Sequence, residues 1–124
     1  MSARILVADD NRANLDLMLY LLRAFGYQVK GVADGVAAFE AAGAAAYALV
    51  LTDILMPGID GYELLQRMRA DERLARTPVV AITALAMPSD ARRINAAGFD
   101  GYITKPIEPA RFVSQVEAFL PVSK

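Results

Sequence analysis

Five short apolar runs, each followed by a stretch of helical periodicity, do most to limit what this chain can fold into. The runs are Arg4–Ala8, Gln28–Val32, Ala48–Thr52, Pro78–Thr83 and Gly101–Ile103. The helical stretches are Ala13–Phe25, Gly35–Ala46, Gly61–Ala70, Ser89–Ala97 and Pro109–Phe119. Alternation of this kind predicts βαβ units wound around a parallel sheet. Two of the runs, ALVLT and PVVAIT, are apolar almost throughout, as strands covered on both faces must be, so they are predicted at the centre. Gly26 and Gly98 stand where helices end, Asp60 is placed to cap the third helix, and Pro109 suits a helix start.

The first helix carries two apolar stripes at 100° per residue. Leu15, Met18, Leu19, Leu22 and Phe25 are predicted to face the sheet, while Leu17 and Leu21 form a second stripe that either packs on the last helix or stands open as a docking patch. No linker or repeat interrupts the pattern, and 124 residues suffice for one domain, 1–124, but not for two.

Composition excludes several chemistries. The net charge is −1 with both signs spread along the chain, so no basic stripe exists for direct nucleic-acid binding. The chain has no cysteine and no histidine, which removes disulfides, thiolate sites, imidazole metal sites and Ser/His/Asp triads. No apolar run approaches the roughly 18 residues of a membrane span, and MSARILVADD meets acid too early for a signal peptide. A cytoplasmic location, with no membrane association, is expected.

In an open parallel sheet ligands bind outside the carboxyl ends of the strands. The first run ends in Asp9 and Asp10, the third in Asp53, the fourth in Thr83, and Lys105 follows the fifth. Each has an ordinary explanation alone: helix capping for the acid pair, a turn before Pro57 and Gly58 for Asp53, strand propensity for Thr83, solvated charge for Lys105. Independent accidents do not explain their meeting on one rim. Three carboxylates so close repel by roughly 1 kcal/mol per pair in water and about 4 at an effective dielectric of 20, so they must protonate or bind a cation. Oxygen ligands without His or Cys select a hard ion, and a few carboxylates with open positions suit Mg²⁺ better than a calcium cage.

Together these residues resemble the receiver domains of bacterial two-component response regulators over essentially the whole chain. The matching pieces are ILVADDN at 5–11, DILMPGIDG at 53–61, AITA at 81–84 and YITKP at 102–106. The stretch from Ala84 to Ile107 looks most like receivers of hybrid kinases and of DivK-type single-domain regulators. The resemblance implies a flavodoxin-like doubly wound α/β sheet of strand order 2-1-3-4-5. It makes Asp53 the phosphoacceptor, Asp10 a direct Mg²⁺ ligand, Asp9 a ligand largely through water, and the Leu55 carbonyl the remaining protein ligand. Thr83 and Lys105 would each take a phosphoryl oxygen, Thr83 and Tyr102 would form the switch, and the Lys105–Pro106 bond would be cis.

The resemblance further implies a sensor histidine kinase or histidine phosphotransfer protein as donor and a downstream protein as target, with the chain a monomer or weak homodimer. The changed surface would comprise the fourth helix, fifth strand and fifth helix, including Arg92, Tyr102 and Phe112. Leu55 and Leu85 flank the expected phosphoryl site and cannot hydrogen-bond an attacking water, so slow autodephosphorylation is expected. A Mg²⁺-dependent aspartyl-phosphate phosphatase would want D-x-D, and Asp53 is followed by Ile54 and Leu55. A phosphate-independent interaction domain is the other rival. Met1 directly before the first strand favours a free-standing protein over an excised piece of a hybrid kinase.

Overall fold

A computed structural model of the chain describes residues 3–84 and 87–120. The elements run β1 (Arg4–Ala8), α1 (Arg12–Ala24), β2 (Gln28–Val32), α2 (Gly35–Ala44), β3 (Leu49–Asp53), α3 (Gly61–Ala70), β4 (Val79–Thr83), α4 (Pro88–Ala97), β5 (Gly101–Thr104) and α5 (Pro109–Glu117). Every expected strand and helix forms, with ends moved by one or two residues, the usual fraying of such boundaries. One of these small moves matters: β3 ends on Asp53 itself, not on Thr52.

All strand pairs are parallel, in the order β2-β1-β3-β4-β5. β3 and β4 are buried at all of their positions, as their unbroken apolar sequences require, whereas β2 at the edge is only half-buried. Alternate side chains leave opposite faces of the sheet. Leu6, Val50, Val79 and Ala81 meet Ala38 and Ala41 of α2, Leu64, Leu65 and Met68 of α3, and Ile94 of α4 on one face. Ile5, Val7, Leu49, Leu51, Val80, Ile82 and Ile103 meet Leu15, Met18 and Leu22 of α1 with Phe112 and Val116 of α5 on the other.

Short polar side chains begin the helices. Asn11 caps α1 by accepting from the Asn14 N–H, Asp34 caps α2 through Ala37, and Asp60 caps α3 through Glu63. Gly98 closes α4 at φ +104°, a left-handed conformation that costs glycine nothing.

Two expectations about helix faces divide. Leu17 and Leu21 are half-buried against the cluster that holds Phe112 and Val116, so the second stripe of α1 packs toward α5 and is no open patch. Phe25, in contrast, is 66% exposed. The helix ends at Ala24, and Phe25, at φ −98° as its C-cap, has left the 100° progression that would have carried it inward.

Candidate functional site

The sheet's order reverses between β1 and β3, and the acids stand at the carboxyl ends of those two strands. Asp9 is fully buried, and its Oδ1 accepts the Asn11 N–H at 2.8 Å. The acid pair does not cap α1, because Asn11 already does. Asp10 is exposed at the mouth of the cleft. Asp53 is 7% exposed, with Oδ1 accepting from the Leu55 N–H at 3.3 Å. One carboxylate oxygen from each of Asp9, Asp10 and Asp53 lies within 4.8 Å of the other two.

Thr83, buried, ends β4 beside them. Lys105 follows β5, joined to Pro106 by a cis peptide as expected, with its N–H bonded to the Thr83 carbonyl at 2.8 Å. Its Nζ donates to Asp53 Oδ2 at 2.7 Å and stands 3.2 Å from Asp9 Oδ2.

That ammonium answers the repulsion in a way the choice between protonation and a bound ion left out. The protein carries a cation of its own into the cluster. Burial opposes the Lys105 charge most strongly, yet the hydrogen bond and field of Asp53, with the field of Asp9, outweigh it and raise the lysine's pKa. Burial also dominates at Asp9 and pushes its carboxyl upward, against the Asn11 hydrogen bond and the field of Lys105. One ammonium cannot neutralise three carboxylates. Asp9 Oδ2 makes no hydrogen bond of good geometry despite its nearness to Lys105, so a buried acceptor is left facing the cleft. All-oxygen donors, a buried acceptor without a hydrogen bond and an exposed Asp10 on the open side together fit a hard divalent cation such as Mg²⁺.

Residues 5–117 match the family model for the response regulator receiver domain. This chain is a response regulator receiver. The polar-differentiation response regulator DivK of Brucella ovis is 34% identical over 120 residues, covering 97% of this receiver and 98% of that protein. Among solved structures, the chemotaxis response regulator CheY4 of Vibrio cholerae superposes with a TM-score of 0.91 at 26% identity, covering 97% of this receiver and all of that chain. The receiver domain of the Pseudomonas aeruginosa sensor histidine kinase PA1611, solved with a magnesium ion in its active-site cleft, has a TM-score of 0.86 at 33% identity, covering 96% and 98%. The fold is thus the flavodoxin-like arrangement of these proteins, and the acidic pocket of Asp9, Asp10 and Asp53 fits a receiver's phosphoacceptor site.

Outside the pocket the receiver agrees less evenly with its sequence. Leu55 is 65% exposed, while Leu85 lies outside the described residues. Arg92 is exposed on α4, and Tyr102, 38% exposed, stands on β5 opposite Ala81 of β4. Phe112 is wholly buried, so it cannot belong to an outward surface of α5. The helix turns Phe112, Val113 and Val116 inward, and the wide apolar stripe that anchors α5 consumes the aromatic.

By sequence alone Thr52 is an ordinary strand residue; in the structure it is a fully buried hydroxyl in an otherwise apolar run, directly before Asp53. A polar residue inside a buried strand is the signal that would have found it.

Among the described residues no helix is long and apolar enough to cross a membrane.

Proposed function

We propose that Asp53 accepts a phosphoryl group from a phosphohistidine of a sensor kinase or phosphotransfer protein. The observation that carries this reading is the Asp53 carboxylate at a rigid strand end, within reach of two further carboxylates and bonded to Lys105. The donor imidazole is not among these 124 residues, which contain no histidine. An Asp53 oxygen attacks phosphorus, the nitrogen–phosphorus bond breaks, and the imidazole leaves with the electron pair, giving an acyl phosphate. Such a transfer needs alignment and charge neutralisation more than covalent assistance.

Asp9, Asp10, Asp53 and the Leu55 carbonyl would hold Mg²⁺. The ion supplies charge neutralisation at the transferred group's oxygens. Lys105 trades its bond to Asp53 Oδ2 for one to a phosphoryl oxygen, and the Thr83 hydroxyl takes another. The new group brings a charge of about −1.5 to −2 and further acceptors, drawing both residues toward it. Movement of Thr83 opens space for the half-exposed Tyr102 to turn inward. The surface formed by α4, β5 and α5 then differs between states and meets a downstream protein or serves a relay.

Incubation with acetyl phosphate and Mg²⁺ should modify the protein at Asp53, seen by mass spectrometry of the intact chain and its peptides. Asp53→Asn should take up nothing. Absence of modification in the unaltered protein would favour a phosphate-independent interaction domain. The apolar Leu55 at the rim supports slow autodephosphorylation, and a half-life of seconds at room temperature contradicts that part of the reading.

A further inference from the structure

β3 is apolar at Leu49, Val50 and Leu51, and the next residue, equally buried, is Thr52. Valine has nearly the same shape, packs better in such a strand and leaves no hydroxyl to desolvate. The hydroxyl therefore does something a methyl would not. Its Oγ1 donates to the carbonyl oxygen of Asp53 at 2.9 Å, and Met56 Sδ, 3.9 Å away, is its only other polar neighbour among the hydrogen bonds of the described residues.

That carbonyl also lies against the start of α3. Gly61, the first residue of α3, lies so close that a Cβ there would stand 2.6 Å from Asp53 O and 2.9 Å from the Ile54 Cα, both backbone atoms that cannot swing aside. The Gly61 N–H donates to the Ile54 carbonyl at 2.8 Å. β3 ends at Asp53, so the peptide between Asp53 and Ile54 opens the turn toward Pro57 and Gly58. The Thr52 hydrogen bond and the close approach that a glycine allows fix that peptide at the point where strand pairing stops.

We infer that Thr52 is a positioning residue for the phosphoacceptor site, fixing through its hydroxyl the peptide from which the Asp53 carboxylate and the Leu55 turn depart. This inference rests on the reading of Asp53 as phosphoacceptor. Orientation of first ligands by buried outer groups is worth roughly 10- to 100-fold in metal affinity elsewhere. A single neutral hydrogen bond belongs at the lower end of that range.

Two substitutions separate the hydroxyl from the packing. Thr52→Val keeps the branched shape and removes the donor; Thr52→Ser keeps the donor and removes the methyl. Mg²⁺ is titrated into each protein and followed by the amide resonances of Asp10 and Leu55, with thermal unfolding measured alongside. Thr52→Val should raise the half-saturating Mg²⁺ concentration about tenfold, while Thr52→Ser stays within about twofold of the parent.

Stability should run the other way, with the valine variant melting at or above the serine variant, since valine suits a buried strand better. In the metal-free proteins the carbonyl ¹³C resonance of Asp53 should move in the valine variant and hold in the serine variant. A purely packing role predicts that affinity follows stability. Parental Mg²⁺ affinity in Thr52→Val, or equal losses in both variants, overturns the inference. Loss of folding in Thr52→Val overturns it too, because the hydroxyl would then be needed for the fold as a whole and not for the site. Acetyl phosphate labelling of the parent tests the phosphoacceptor reading separately, since it does not depend on Thr52.

Discussion

The two ends of the sheet treat their polar groups in opposite ways. At the amino end, Arg69 spans the gap between α3 and β4, donating to the carbonyls of Ala75 and Thr77 and to Asp100 Oδ2. Asp100 in turn accepts the N–H of Val79 at 2.8 Å, and the Tyr27 hydroxyl donates to Glu117. Each of these groups has a partner of complementary kind. At the carboxyl end, three carboxylates share one ammonium, and the buried Asp9 Oδ2 lacks a hydrogen bond. The amino end is arranged for stability. The carboxyl end leaves electrostatic demand unmet, and such unmet demand is what a cation can satisfy.

The contrast can be broken most directly at Lys105. Lys105→Ala in metal-free buffer should cost about 3 kcal/mol in urea unfolding, because it leaves buried carboxylates without their cation. Millimolar Mg²⁺ should then stabilise the variant more than it stabilises the parent. A variant indifferent to Mg²⁺ would mean that the carboxyl end is no more in need of a cation than the amino end.

Asp100→Ala should be the next largest, about 2 kcal/mol, since the Val79 N–H at the start of a buried strand loses its acceptor and Arg69 loses one partner. That loss should be the same with and without Mg²⁺. Unfolding at the two conditions checks it, and a metal-dependent difference would couple the two ends.

The smallest effect belongs to Tyr27, whose pKa is pushed up to about 12 by its hydrogen bond to Glu117 and, less, by burial. The fold favours the neutral phenol, so the contribution is fully present below the ordinary tyrosine pKa and disappears as pH rises through about 12. With solvent screening it amounts to less than about 1 kcal/mol. Tyr27→Phe should be slightly less stable than the parent at pH 8, and unfolding curves of the two should converge at the alkaline limit.

Much of this contrast was legible before any coordinates. The strand ends bearing Asp9, Asp10, Asp53, Thr83 and Lys105 follow from the period of the apolar runs, because a parallel sheet puts all carboxyl ends on one side. The faces of helices were less legible. Phe25 fits the inward stripe of α1 and Phe112 the outward surface of α5, yet the first is exposed and the second buried. A residue at a helix end escapes the periodicity, and the resemblance to a signalling surface says which helix lies there without saying which side of it points out.

The amino-acid order by itself determined the α/β alternation, the central place of β3 and β4, the all-oxygen donor set of a chain without His or Cys, and the family. Those properties depend on local periodicity and on which side-chain chemistries exist at all. Only the tertiary structure decided that Lys105 lies on Asp53, 52 positions away, that Asp9 is buried with an oxygen lacking a hydrogen bond, and that Thr52 and Gly61 enclose the Asp53 carbonyl. Hydrogen bonds and close contacts depend on distances of a few tenths of an ångström, and those distances exist only once the elements have packed.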